Sequence, residues 1–152
     1  MKVKDYMRTK IVTIPQSMCF KKALEVMVKE KTNGLVVADE HGEAVGILDC
    51  FHMMFALVPD YLINDPMLAS FVNDESFSKS VKEAADMPIS KMMMPVKGYV
   101  LNENAPIVQA AAIATKKHIR YVPIVNDKNE IVGLLSRSEI KHALVDILGI
   151  EY

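Results

Sequence analysis

GLVVADEHGEAVGILDCFH at residues 34–52 and YVPIVNDKNEIVGLLSRSE at residues 121–139 are two versions of one pattern. Gly46 falls on Gly133, Ala23 on Ala110, Leu48 on Leu135 and Met7 on Met94, each pair 87 positions apart. About fifty residues align without an insertion, and a unit of that size cannot bury its hydrophobic face alone. The two copies should therefore pack into one domain. They differ most at the polar positions where a ligand would be gripped, and the functional reading rests on that difference.

Working outward, each copy reads the same way. A short opening (residues 3–7 and 89–94) leads to a small apolar segment, residues 11–14 or 99–101. Helix-start signals follow: Ser17 or Asn104 is placed to cap a first turn, and apolar residues recur at helical spacing over 20–28 and 107–114. The runs at 35–38 and 122–125 are short and rich in valine, which favours strands over helices. Polar turns at 39–43 and 126–130 separate them from second strands at 44–48 and 131–135, and a second helix starts near Cys50 or Ser138. The repeat is β-α-β-β-α. The predicted fold is mixed α/β (α+β): repeat 1 over about residues 1–53, a helical insertion over about 54–87, repeat 2 over about 88–142 and a C-terminal helix to 152. The insertion carries Pro59 and Pro66, with Pro88 just beyond it, and residues 62–72 and 77–85 read as two helices. Its Phe, Tyr, Leu and Met content is too high for a flexible linker, so it should pack against the pair or against another subunit.

Composition narrows the class. A chain of 152 residues that is 51% hydrophobic has material for one real core. A net charge of −1 argues against general binding of nucleic acid, and the mixed-sign run at 127–130 reads as a solvated turn. No apolar run approaches the ~20 residues of a membrane helix, and no export signal is visible, so a cytoplasmic location is expected. Cys19 and Cys50 occupy non-equivalent positions and read as core thiols rather than a disulfide. His41, His118 and His142 lack partners at zinc-site spacing, and no phosphate-loop or GxGxxG motif occurs. No acid–base pair or activated nucleophile stands out, so neither a catalytic residue nor a metal site is assigned.

Gly133-Leu-Leu-Ser136-Arg-Ser138-Glu139 holds the most informative polar residues. A hydroxyl three residues after a strand glycine, and a carboxylate three beyond it at a helix start, suit vicinal hydroxyls of a sugar. The same spacing also makes an ordinary helix capping box. Both readings stay open at this level.

The order of YVPIV, NDKNEIVG and GLLSRSE, met twice at constant offset, resembles a tandem CBS-domain pair, also called a Bateman module. The resemblance covers essentially the whole chain. It implies two repeats related by a pseudo-twofold axis, two clefts between them, and an adenosyl ligand such as AMP, ADP, ATP or S-adenosylmethionine. It further implies a homodimer, and an energy- or metabolite-sensing regulatory role exerted on a protein partner that the sequence does not identify. Carried onto this chain, the ribose motif falls on Gly133 and Ser136, with Glu139 where the family has Asp, and Ser138 between them as a further ligand-binding candidate. Arg120 and Tyr121, before Val122 and Pro123, fall where phosphate-contacting or base-packing side chains belong, and Val12, Thr32 and Asn33 complete the cleft from repeat 1. The second cleft, with Asp49, His52 and Tyr99, departs further: an acid replaces the hydroxyl and a histidine replaces the carboxylate. That site is expected to be the weaker one. The alternative is a structural or protein-interaction module whose ligand site is degenerate.

Overall fold

The valine-rich runs do form strands, and their register repeats the sequence offset. The computed structural model describes residues 1–151. In the first repeat, β1 (Thr13–Pro15) leads to helix α1 (Phe20–Glu30), strands β2 (Gly34–Ala38) and β3 (Ala44–Asp49), and helix α2 (Cys50–Leu57). Two short helices follow, α3 (Asp60–Asn64) and α4 (Asp74–Ala84). The second repeat has β4 (Met94–Pro95), β5 (Leu101–Asn102), α5 (Ile107–Ala114), β6 (Tyr121–Val125), β7 (Ile131–Ser136) and α6 (Arg137–Ile147). Strands β2 and β6, β3 and β7, and the first residues of both helix pairs all stand 87 positions apart. Backbone irregularities obey the offset too. Gly42 and Asn129 are both left-handed in the hairpin turns (φ 80° and 62°), a conformation open to glycine and tolerated by asparagine.

One sheet has the order β1-β2-β3-β4 and the other β5-β6-β7. In each, the first strand is parallel to the second, and the rest are antiparallel. The two repeats close one another's sheets. Strand β4, from the opening of repeat 2, pairs with β3 of repeat 1 through Ile47 and Met94. Arg8, from the opening of repeat 1, bridges Leu134 of β7 with two backbone hydrogen bonds of 2.9 Å. This exchange ties the copies together by main chain as well as by side chains.

Strand periodicity of two sorts the core. Leu35, Val37 and Leu48 join Phe20, Ala23, Met27 and Met53 in a cluster between the first sheet and its helices. Val36 and Ile47, on the opposite face, join Leu101, Val122, Ile124, Leu134 and Leu135 of repeat 2. Sheet therefore packs on sheet, with helices outside.

Several expected details differ. Ser17 and Asn104 do not cap the first helices. Their N-caps are Cys19 and Pro106, neither making a side-chain capping bond, because the chain runs on for two residues before turning helical. The helix expected over 62–72 is broken into α3 and a 3-10 turn, Pro66–Phe71. Pro66 has no N–H and pushes Asp65 out of the helical region, where its carboxylate instead accepts from the Met67 N–H at 3.3 Å. Helix α6 stops at Ile147, where Gly149 turns left-handed (φ 64°); Tyr152, the end of the expected C-terminal helix, lies outside the described residues. Ala84, in the last turn of α4, reaches the repeat 1 core, whereas Tyr61, Met67, Phe71 and Phe77 of the inserted segment remain exposed. Among the described residues no helix is long and apolar enough to cross a membrane.

Candidate functional site

Strands β2 and β6 begin, and β3 and β7 end, at the same side of the paired sheets. Their terminal residues surround a cleft of about 480 Å³ lined by Asn33, Asp49, Cys50, Phe51, Arg120, Tyr121, Ser136, Arg137 and Ser138. Four pairs in this lining are 87 residues apart: Asn33 with Arg120, Asp49 with Ser136, Cys50 with Arg137 and Phe51 with Ser138. The cleft thus straddles the pseudo-twofold axis. Tyr121 is the unmatched member, since its counterpart is Gly34. A Cβ added to Gly34 would lie 2.7 Å from the Tyr121 ring, so a side chain there and the tyrosine cannot coexist unmoved. Gly34→Ala is expected to lower the melting temperature and change the tyrosine fluorescence, and an unaltered melting temperature would show that the ring moves aside freely.

Two helix N-termini, of α2 and α6, open onto this cleft and bring the positive ends of their dipoles there. Arg120 is exposed, and its guanidinium lies 4.8 Å from the Phe51 ring centre, a cation–π contact. Among the described residues it makes no hydrogen bond or ion pair, so its donor fork is available. Arg137 is different. Its Nε donates to the Ala114 carbonyl at 2.8 Å and its Nη2 to the Lys116 carbonyl at 2.9 Å, where it fastens the end of α5. Its sequence position gave it no such role.

Ser136 and Glu139 form a real capping box. The Glu139 carboxylate accepts from the Ser136 N–H at 2.7 Å and from the Ser136 hydroxyl at 2.5 Å, while that hydroxyl accepts from the Ser138 N–H at 3.2 Å. Ser136→Ala is expected to cost about 1 kcal/mol of stability, measured by urea unfolding. The other Glu139 oxygen pairs with Arg8 at 2.9 Å, and Arg8 also lies 5.5 Å from the Tyr121 ring centre. Arg8 is the residue that the sequence reading missed, because its relation to Glu139 depends on the exchanged opening segment. The pair is half exposed on the Arg8 side, which limits it to roughly 1 kcal/mol or less.

The remaining candidates separate. Val12 and Thr32 line a neighbouring depression of about 480 Å³ with Arg8, Lys10, Lys29, Glu30 and Lys31. The Thr32 hydroxyl donates to the Gly34 carbonyl at 3.0 Å. Val122 and Pro123 are buried within β6, and neither lines the axial cleft. Gly133 is a packing position, where an added Cβ would collide with the Met7 side chain and the Arg8 carbonyl. In repeat 1, Asp49 is 2% exposed and caps α2 by accepting from the His52 N–H at 2.8 Å. His52 Nδ1 lies 2.6 Å from the same carboxylate oxygen, Oδ1. The other oxygen, Oδ2, is buried with no hydrogen-bond partner. Tyr99 packs edge-on against His118, ring centres 6.2 Å apart, and does not line the axial cleft. Cys50 is half-buried, packed against the repeat 1 core and also lining the cleft.

Comparison with known proteins agrees with this architecture. A sequence model described as the CBS domain matches residues 3–58 and 78–146, one segment per repeat. L-aspartate semialdehyde sulfurtransferase of Methanocaldococcus jannaschii is 23% identical over 91% of this chain, but the chain spans only 22% of that protein. The CBS-pair protein CBSX2 of Arabidopsis thaliana superposes with a TM-score of 0.75 at 20% identity, covering 99% of this chain and 98% of its own. CBSX2 has also been solved in complex with AMP, with a TM-score of 0.68, 21% identity and coverage of 97% and 98%. The CBS domain pair of protein MJ0100, solved with 5′-methylthioadenosine and S-adenosyl-L-methionine, superposes with a TM-score of 0.67 at 20% identity over 97% and 98% of the two chains.

Proposed function

Because the chain belongs to the CBS-domain family, as a tandem pair of such domains, we propose that it is a regulatory module that binds an adenosyl ligand between its repeats and has no catalytic role of its own. One observation carries the reading. The axial cleft gathers Arg120, a guanidinium with no hydrogen-bond or ion-pair partner, two helix N-termini and the aromatic rings of Tyr121 and Phe51 around one space. A guanidinium recognises phosphate or carboxylate as a two-pronged donor, and aromatic faces accept a purine. That structural relatives of the same fold have been solved with AMP, and with 5′-methylthioadenosine and S-adenosyl-L-methionine, supports the same ligand class.

In this reading the ribose meets Ser136 and Glu139, with Asn33 closing the far side and Arg120 holding the anionic group. The ribose must displace Arg8 from Glu139, which a weak, half-exposed pair permits. Regulation follows only if the ligand prefers one relative placement of the repeats, or of two copies in a homodimer, over another. A protein partner would read that placement.

Calorimetry and thermal-shift titration with AMP, ADP, ATP and S-adenosylmethionine test the proposal. Binding by at least one of them is expected, with Arg120→Ala weakening a phosphorylated ligand about tenfold, roughly 1.4 kcal/mol. No stabilisation by any of the four at millimolar concentration would leave the rival reading, a purely structural or interaction module, in its place.

A further inference from the structure

Residues 59–77 lie between the two segments that match the CBS domain, so the duplicated fold does not account for them. They are nonetheless ordered by local signals. Asp65 caps the 3-10 turn, the Asn73 side chain caps α4 by accepting from the Ser76 N–H at 2.9 Å, and the turn packs on α3. This ordered segment holds its large apolar side chains in water. Phe71 is 87% and Met67 79% exposed, and Tyr61, Leu68 and Phe77 are exposed beside them in the chain. Exposed apolar surface of this kind marks a contact site. Tyr61 and Phe77 also line a cavity of about 130 Å³ with Leu57 and Val72. Small-molecule sites run to roughly 300–1,000 Å³, so this one has room only for a single apolar anchor.

Charge decides the occupant. Asp60, Asp65, Asp74 and Glu75 are interleaved with these apolar residues, and 59–77 contain no Lys or Arg, a charge of −4 in a chain whose net charge is −1. All four are exposed, and among the described residues none makes an ion pair. A second copy seated on the same patch would set four carboxylates against four, and an anionic lipid surface would be repelled in the same way. The segment is helical and offers no strand edge, so recognition must run through side chains. We propose that residues 59–77 dock a basic amphipathic helix of a partner protein. Its apolar side would rest on Met67, Phe71 and the Tyr61–Phe77 cavity, with its Lys or Arg residues toward the carboxylates. This surface is separate from the adenosyl site and does not depend on it.

The chain has no tryptophan, so a tryptophan in a peptide reports binding without background. The probe is a synthetic helical peptide with Leu and one Trp on one face and Lys on the other. Its controls are a scrambled peptide of the same composition and a version with Glu in place of every Lys. Titration with the full chain is expected to shift the Trp emission of the Lys peptide to the blue. The scrambled peptide should bind at least tenfold more weakly and the Glu version not at all. Phe71→Ser and Met67→Ser should each weaken the Lys peptide severalfold or more. Both side chains are exposed, so both variants should fold, which circular dichroism checks. No binding of the Lys peptide, equal binding of the scrambled one, or affinity that neither substitution alters overturns the inference. So does a dimer of the chain alone that Phe71→Ser dissociates, or binding to phosphatidylcholine vesicles that it abolishes. Neither residue lines the axial cleft, so a nucleotide titration is expected to be the same in both variants, and failure here leaves the adenosyl reading in place.

Discussion

Ile47→Ala is expected to lower the free energy of unfolding by about 3 kcal/mol, within the range of roughly 2–5 kcal/mol for such truncations at well-packed sites. Ile47 is fully buried and sits on the face of β3 that meets repeat 2, beside Val36, Leu134 and Ile124. Its backbone also pairs with Met94, so the cavity would open beneath the strand that joins the copies. The surroundings cannot collapse easily, because both sheets are fixed by reciprocal main-chain pairing. Urea denaturation followed by circular dichroism measures the loss. Val28→Ala, at a position 77% exposed, serves as the control and should change stability by no more than about 0.5 kcal/mol. A loss at Ile47 no larger than at Val28 would contradict the sheet-on-sheet core.

Glu139→Ala is expected to weaken AMP binding at least tenfold, about 1.4 kcal/mol, while His52→Ala changes it less than threefold. The two residues are counterparts across the repeat offset, so only their chemistry separates them. Glu139 brings a carboxylate with several lone pairs against Ser136 of the cleft lining, where in the proposed reading ribose hydroxyls replace Arg8. His52 is occupied with Asp49, and its backbone N–H, which caps onto that carboxylate, survives the substitution. Since Glu139 also completes the α6 capping box, affinity should be measured well below the variant's melting temperature. Equal losses from the two substitutions would refute the asymmetry between clefts.

The two outcomes rest on different kinds of information. The valine-rich runs, hairpin turns and second helices were legible because each depends on neighbours within a few residues and was written twice. Where one local signal overrode another, the reading slipped: Pro66 divided a helix that apolar spacing alone would have continued. At the site, Ser136 and Glu139 were legible from their spacing, and Arg120 from the family resemblance. Their partners were not. Arg8 meets Glu139 only because the opening of repeat 1 crosses to β7.

By itself, then, the sequence determined the duplicated architecture, since strand and helix periodicities and a constant offset are local and repeated properties of the chain. Only the tertiary structure decided which polar groups are already satisfied. Arg137 turned out to be spent on helix carbonyls, Arg120 to be unengaged, and Asp49 to be buried with one oxygen unused. A hydrogen bond or an ion pair is set by distance and burial between residues that the chain may place anywhere along its length. No spacing pattern encodes that.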